Sequence, residues 1–189
     1  MSEKISVAVI YGSTRAGRFC ETVARWVLRQ LEGDSRFEVD IIDPGGKTLP
    51  MAPGDPIAPE LMQKLERADA FIVITPEYNR SYPAALKALI DSAHREWQSK
   101  PVAFVSYGGI SGGLRAVEHL RPVFAELHAV TLRDTVSFAN PWQRFAPDGT
   151  MQDDSAPAEA IARQLAHLDW WARALKNARL ATPYEEIAA

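Results

Sequence analysis

A chain of 189 residues, 47% hydrophobic and 24% charged, is long enough to bury a core without disulfide or metal support, which excludes the stapled mini-protein and disordered classes. A formal net charge of -3 gives no general attraction for nucleic acid or an anionic membrane, so neither is expected as a partner. One cysteine, Cys20, excludes an internal disulfide; with no apolar leader pattern at Met1-Ser2-Glu3-Lys4 and no membrane-length apolar run, a cytoplasmic location is expected.

Ile5 to Tyr11 is a short apolar run ended by Gly12, the pattern of a strand buried on both faces. From Phe19 to Leu31 the apolar positions Val23, Ala24, Trp26, Val27 and Leu31 recur at helical spacing, and Gly33-Asp34 stops the helix. Phe37 to Asp43 reads as a second strand. Residues 44 to 59 hold Pro44, Pro50, Pro53, Pro56 and Pro59, and predict a long irregular loop, of the kind that is a lid, an interface or a floppy segment. A short helix follows from Pro59 to Arg67, with Pro at the tolerated first turn, and then a third strand over Ala70 to Thr75. Pro83 to Ala93 predicts a helix and Pro101 to Ser106 a fourth strand. Gly112-Gly113 opens a helix running to Leu127, with Pro122 inside it as a possible kink. Val130 to Phe138 is the fifth strand. An irregular excursion over 139 to 153 precedes a closing helix from Pro157 to about Leu180, and the tail after Pro183 is expected to be loose.

Five strands alternating with helices predict an α/β fold: one domain over residues 1–189, with a parallel sheet covered on both faces, because parallel neighbours need crossover connections. The expected strand order is 2-1-3-4-5, a flavodoxin-like three-layer arrangement. Its ligand sits beyond the carboxyl ends of the strands, which selects the loops after strands one, three and four.

The first of these loops is Gly12-Ser13-Thr14-Arg15-Ala16-Gly17-Arg18. Small residues, hydroxyls and two arginines ahead of a helix N-terminus suit a phosphate monoester; a plain glycine turn with solvated arginines has the same composition. A Walker A loop fails because Arg18 and Phe19 stand where Lys and Ser or Thr are required. A dinucleotide fingerprint fails because Thr14 replaces its second glycine. The second loop, Pro76-Glu77-Tyr78-Asn79-Arg80-Ser81-Tyr82-Pro83, brings rings, an amide and a carboxylate that suit a planar ligand, although Pro and Asn are also ordinary turn residues. The third, Ser106-Tyr107-Gly108-Gly109-Ile110-Ser111-Gly112-Gly113, has glycines that let backbone amides approach a ligand; an ordinary mobile loop reads the same way. Cys20 alone reads as a packing residue, since no histidine near it in sequence suggests activation. His94, His119, His128 and His167 are scattered and predict no metal site.

Together, Gly12-Ser13-Thr14-Arg15, Pro76-Glu77-Tyr78-Asn79 with Pro83-Ala84-Ala85-Leu86-Lys87, and Ser106-Tyr107-Gly108-Gly109 resemble the three signatures of the NADPH-dependent FMN reductase family of quinone, chromate and azo-dye reductases. The resemblance covers about residues 5 to 138. It implies that Ser13 and Arg15 hold the FMN phosphate, that Pro76, Glu77, Tyr78 and Asn79 line the ribityl chain and ring, and that Ser106, Tyr107, Gly108 and Gly109 meet the ring edge. Many members carry Ser and Asn where this chain has Arg18 and Cys20, so Arg18, Phe19 and Cys20 complete the candidate set, with Arg18 as a replacement charge. The resemblance also implies FMN with NADPH or NADH as cofactors and a small acceptor such as a quinone, free flavin, azo compound or metal oxyanion. It further implies a homodimer or homotetramer, for which Trp97, the 44–59 loop, Trp142 and Phe145 are candidate interface groups. A flavodoxin-type electron carrier and a non-enzymatic regulatory domain are the rival readings. The role of Glu77 is open at this point.

Overall fold

The computed structural model describes residues 3–47, 49, 55 and 57–187, so Pro50, Pro53 and Pro56 of the expected 44–59 loop lie outside the described residues. The elements follow the chain as β1 (Ile5–Tyr11), α1 (Cys20–Leu31), β2 (Phe37–Ile42), α2 (Pro59–Arg67) and β3 (Ala70–Pro76). Then come α3 (Ala84–Asp91), β4 (Pro101–Gly108), α4 (Leu114–Glu126), β5 (Val130–Ala139) and α5 (Ser155–Ala181). The strands form one sheet of order β2-β1-β3-β4-β5, parallel at every pairing, as the strand-helix alternation predicts.

Because successive side chains of a strand point to opposite faces, each central strand feeds two cores. Val7, Val9, Ile72, Ile74, Ala103 and Val105 pack under α1 and α5. Ala8, Ile10, Phe71, Val73, Val102 and Phe104 pack under α2, α3 and α4. β1, β3 and β4 are therefore almost wholly buried, which is why they read as unbroken apolar runs.

The amino-terminal edge of the sheet is closed by charge. Asp69 meets Lys176 at 2.9 Å, and the buried Lys100 donates to the carbonyls of Leu65 (3.1 Å) and Glu66 (2.9 Å) at the end of α2. The opposite edge carries the loops that follow β1, β3 and β4.

Several expectations are corrected. Trp97 is fully buried: its indole N–H donates to the Ile90 carbonyl at 3.0 Å, and its ring packs edge-on to Phe124, so the second core claims it rather than an interface. The tail is held through Ile187, with Tyr184 hydrogen-bonded to His128 at 2.8 Å and Glu185 paired with Arg95 at 3.3 Å. The 139–153 excursion is anchored as well. Phe145 pairs with Met151 in an antiparallel bridge, Arg25 donates to the Pro147 carbonyl at 2.7 Å, and Arg29 donates to the carbonyls of Asp148 (3.1 Å) and Gly149. Phe145 is buried between Phe19 and Phe138, which removes it from the interface candidates. α4 runs unbroken from Leu114 to Glu126 with Pro122 inside it.

Candidate functional site

The turn after β1 needs glycine at its first position. A Cβ on Gly12 would sit 2.6 Å from the Ile74 carbonyl oxygen, to which the Gly12 N–H donates at 2.8 Å. Ser13 is buried, and its hydroxyl shares a 2.8 Å hydrogen bond with the Tyr78 hydroxyl, so the first loop is tied to the second. Arg15 is exposed at the lip, and its guanidinium has no ion-pair partner among the described residues. α1 then starts at Cys20 with no side-chain cap; the Thr22 and Val23 N–H groups donate to the Phe19 carbonyl at 3.1 and 3.3 Å, which leaves those of Cys20 and Glu21 as the open first-turn amides.

Arg18 departs from its expected role. Its guanidinium is almost buried and spans Asp43 with bonds of 2.8 and 2.6 Å; it also donates to the Ser13 carbonyl and lies over the Tyr11 ring. Hydrogen bonding to Asp43 raises the Arg18 pKa. Burial works against the Asp43 carboxylate, but the bonds from Arg18 and the Gly45 N–H outweigh it and hold its pKa below the ordinary value. The positive charge is thus matched inside the protein, and Arg18 braces the loop against the end of β2 instead of standing free as a phosphate charge.

Cys20 likewise departs from the candidate set. It is fully buried, its thiol faces the Ile74 carbonyl at 3.9 Å, and burial pushes the thiol pKa up to about 11. As the first inward position of an amphipathic helix its side chain belongs to the core, in line with the packing reading.

In the second loop, Tyr78 and Ser81 exchange backbone hydrogen bonds of 2.8 and 3.0 Å around Asn79 (φ 48°) and Arg80 (φ 69°). A two-residue turn with both central residues left-handed favours asparagine at its first position. Asn79 is exposed at the tip and serves the turn, so its side chain is not among the walls of the cleft described below.

Glu77 acquires a structural assignment. Its carboxylate accepts from the Ser111 hydroxyl at 2.5 Å and from Arg115 at 2.9 Å, and its N–H donates to the Tyr107 carbonyl at 3.1 Å. Burial raises the pKa of this carboxyl, but the two side-chain bonds and the Arg115 charge outweigh it, so the net shift is downward. Glu77 therefore ties the second loop to the third loop and to the start of α4.

The third loop is shaped by left-handed glycines. Gly112 (φ 62°) places its carbonyl where the hydroxyls of Ser106 and Ser137 both donate to it at 2.9 Å. Gly113 (φ 86°) leaves no room for a side chain, since a Cβ there would lie 2.7 Å from the Tyr107 nitrogen. Ser106 is thus a buried loop anchor, and only Tyr107, Gly108 and Gly109 of the expected quartet reach the ligand side. Burial, with the Cys20 thiol beside it, raises the Tyr107 pKa.

These loops enclose a cleft of about 450 Å³ walled by Arg15 to Phe19, Pro76 to Tyr78, Tyr107 to Gly109, and Trp142. Trp142 is the wall that the three-loop rule missed. It arrives from beyond β5, and only its aromatic character in a loop marks it in the sequence. Ser111, Arg115 and Asp43 were also missed, because their roles depend on partners distant in sequence. An apolar hollow of about 360 Å³ lies between α1 and β2, but the Arg25 and Arg29 that line it are already engaged by the excursion.

The donor set fits a mononucleotide. One end offers Arg15 and the open N–H groups of Cys20 and Glu21, the other offers backbone at Gly108 and Gly109, and the position of a Cβ on Gly109 is open space. The carboxylates nearby are matched, Asp43 by Arg18 and Glu77 by Arg115, and oppose a phosphate little.

The sequence model described as NADPH-dependent FMN reductase matches residues 5–143. An NAD(P)H-dependent FMN reductase of Schizosaccharomyces pombe is 37% identical over 119 residues, 57% of this chain and 60% of its own length, less than two thirds of that relative. A quinone reductase of Escherichia coli K12 is 33% identical over 145 residues, 70% of this chain and 76% of the relative. Among solved structures, the flavoenzyme NAD(P)H:(acceptor) oxidoreductase FerB from Paracoccus denitrificans is similar with a TM-score of 0.73 and 29% identity, covering 89% of this chain and 98% of that one.

Proposed function

The chain belongs to the NADPH-dependent FMN reductase family, and from that membership we propose that it holds FMN in the cleft and oxidises NADPH or NADH to reduce small acceptors, quinones first among them. The observation that carries this reading is the convergence on one cleft of an unpaired arginine with a helix N-terminus at one end and glycine backbone with aromatic walls at the other. In balance, NAD(P)H, a proton and a quinone give NAD(P)⁺ and a hydroquinone. FMN, when bound there, would supply the two-electron redox chemistry that links NAD(P)H to the acceptor.

The chain's own residues bind and position. Arg15 and the Cys20 and Glu21 N–H groups hold the phosphate, with Ser13 keeping Tyr78 turned to the ligand. The Glu77 tie to Ser111 and Arg115 sets the spacing between the second and third loops, hence the width of the slot for the ring. Gly108 and Gly109 present backbone to the ring edge, and Phe19 and Tyr107 exclude water from the floor. Pro76 ends β3 at the slot, while Asn79 shapes the turn beside it.

The reaction runs in a cytoplasmic homodimer or homotetramer of single-domain chains spanning residues 1–189. The buried free thiol of Cys20 and the continuous sheet support this, as do the exposed Ile110 and Leu114 beside the cleft. Purified protein is expected to take up FMN, with flavin absorption bands, and to oxidise NADPH when a benzoquinone is added. It should elute at two or four times the chain mass and unfold in one transition. A sample that takes up no FMN overturns the proposal, and FMN uptake without NAD(P)H oxidation returns the electron-carrier reading.

A further inference from the structure

Four of the five tryptophans have a partner. Trp26 donates to Asp154 at 3.4 Å, Trp97 donates to the Ile90 carbonyl, and Trp170 and Trp171 pack edge-on at 5.1 Å. Trp142 is different. It is 56% exposed, and neither its ring nor its indole N–H has a partner among the described residues.

Its backbone, in contrast, is firmly held. Asn140 adopts a left-handed conformation (φ 47°) and donates its N–H to the Gly108 carbonyl at 2.8 Å, which fixes the Pro141–Gln143 turn to the third loop. The N–H groups of Arg144 and Phe145 both donate back to the Pro141 carbonyl at 2.9 Å, and Phe145 is buried against Phe138. A bare indole on a pinned turn is a preorganised aromatic face.

Exposure rises from the floor of the cleft to its rim, from Tyr107 at 5% to Trp142 at 56%. The floor suits a resident ring, whereas the rim meets the molecule that enters and leaves.

We propose that Trp142 is the acceptor-selecting residue: its indole stacks on a flat aromatic acceptor at the rim of the cleft, and its N–H is available to an acceptor carbonyl. Fused-ring quinones are thereby favoured over non-aromatic oxidants. This rests on the reading of the cleft as a flavin site.

The test uses the FMN-loaded full chain as wild type, Trp142→Phe and Trp142→Ala. Anthraquinone-2-sulfonate binding is measured by calorimetry without NAD(P)H, so that no turnover contributes. Trp142→Ala is expected to weaken that binding about tenfold and Trp142→Phe only about twofold to threefold, the range expected when an aromatic stacking surface is removed or reduced. In turnover, the ratio of kcat/KM for the anthraquinone to that for ferricyanide should fall by a similar factor in Trp142→Ala. Unchanged anthraquinone affinity overturns the inference. So does an equal loss toward both acceptors, a loss confined to FMN affinity, or a change in particle size on gel filtration with ligand affinity kept, which would give Trp142 to the cofactor or to a second copy of the chain. Failure of wild type to bind FMN sinks the flavin reading itself; FMN uptake with unaltered anthraquinone binding sinks this inference alone.

Discussion

Arg15 and Arg18 sit three positions apart in one loop, yet the fold gives them opposite tasks. Arg18 is engaged by Asp43, so in the proposed site the phosphate would depend on Arg15 and on backbone. Arg15→Ala should therefore weaken FMN by about 1–2 kcal/mol, the worth of one charge-assisted hydrogen bond at an exposed lip, and leave thermal stability nearly unchanged. A fluorescence titration of FMN checks this; an unaltered dissociation constant would remove Arg15 from the phosphate site. Glu77 makes a prediction in pH. Its folded pKa lies below the ordinary 4.5, so the tie between the second and third loops is fully present above that value and is lost as pH falls through the lowered folded value. Below about pH 4.5, wild type should lose FMN affinity more steeply than Glu77→Gln, which has no carboxylate to protonate. Parallel pH curves for the two proteins would show that Glu77 does not govern the loops.

At the scale of elements, the third loop depends on two adjacent left-handed glycines that turn the chain from β4 into α4. A Cβ on Gly113 would meet backbone atoms of Tyr107 at 2.7 and 2.9 Å, clashes that no rotamer can relieve. Gly113→Ala should cost about 2–4 kcal/mol of stability in urea unfolding, from left-handed strain plus the clash. Gly109→Ala meets nothing within 4 Å and should leave stability within about 1 kcal/mol of wild type while narrowing the slot and weakening FMN. If both variants unfolded alike, the loop would be adapting and the steric account would fail. The excursion after β5 is fixed by equally few groups: an aromatic anchor at Phe145 and hydrogen bonds from Arg25 and Arg29 to its carbonyls hold a segment that has little regular structure.

At the scale of the molecule, the sheet order brings β1, β3 and β4 side by side, so loops more than ninety residues apart in the chain, at Arg15 and Gly108, share one cleft. Strand and helix positions are legible in the sequence because burial on both faces demands unbroken apolar runs and amphipathic helices demand a 3.6-residue repeat; the Pro59–Arg67 helix is legible to the residue. The three loops are legible because parallel winding leaves the carboxyl ends of strands open. What local pattern does not carry is which atom meets which. Arg18 and Cys20 look like ligands until Asp43 and the core claim them, Trp97 looks exposed until Phe71 and Phe124 enclose it, and Ser106 looks like a ring-edge group until Gly112 receives its hydroxyl. The sequence by itself determined the strands, the helices and their layers, because these follow from the period of hydrophobic burial; the strand order, and with it the loops that face a ligand, was an expectation from the common doubly-wound pattern that the sheet bears out. Only the tertiary structure decided the side chains left free in the cleft, because a polar group's role depends on whether a partner distant in sequence has already satisfied it.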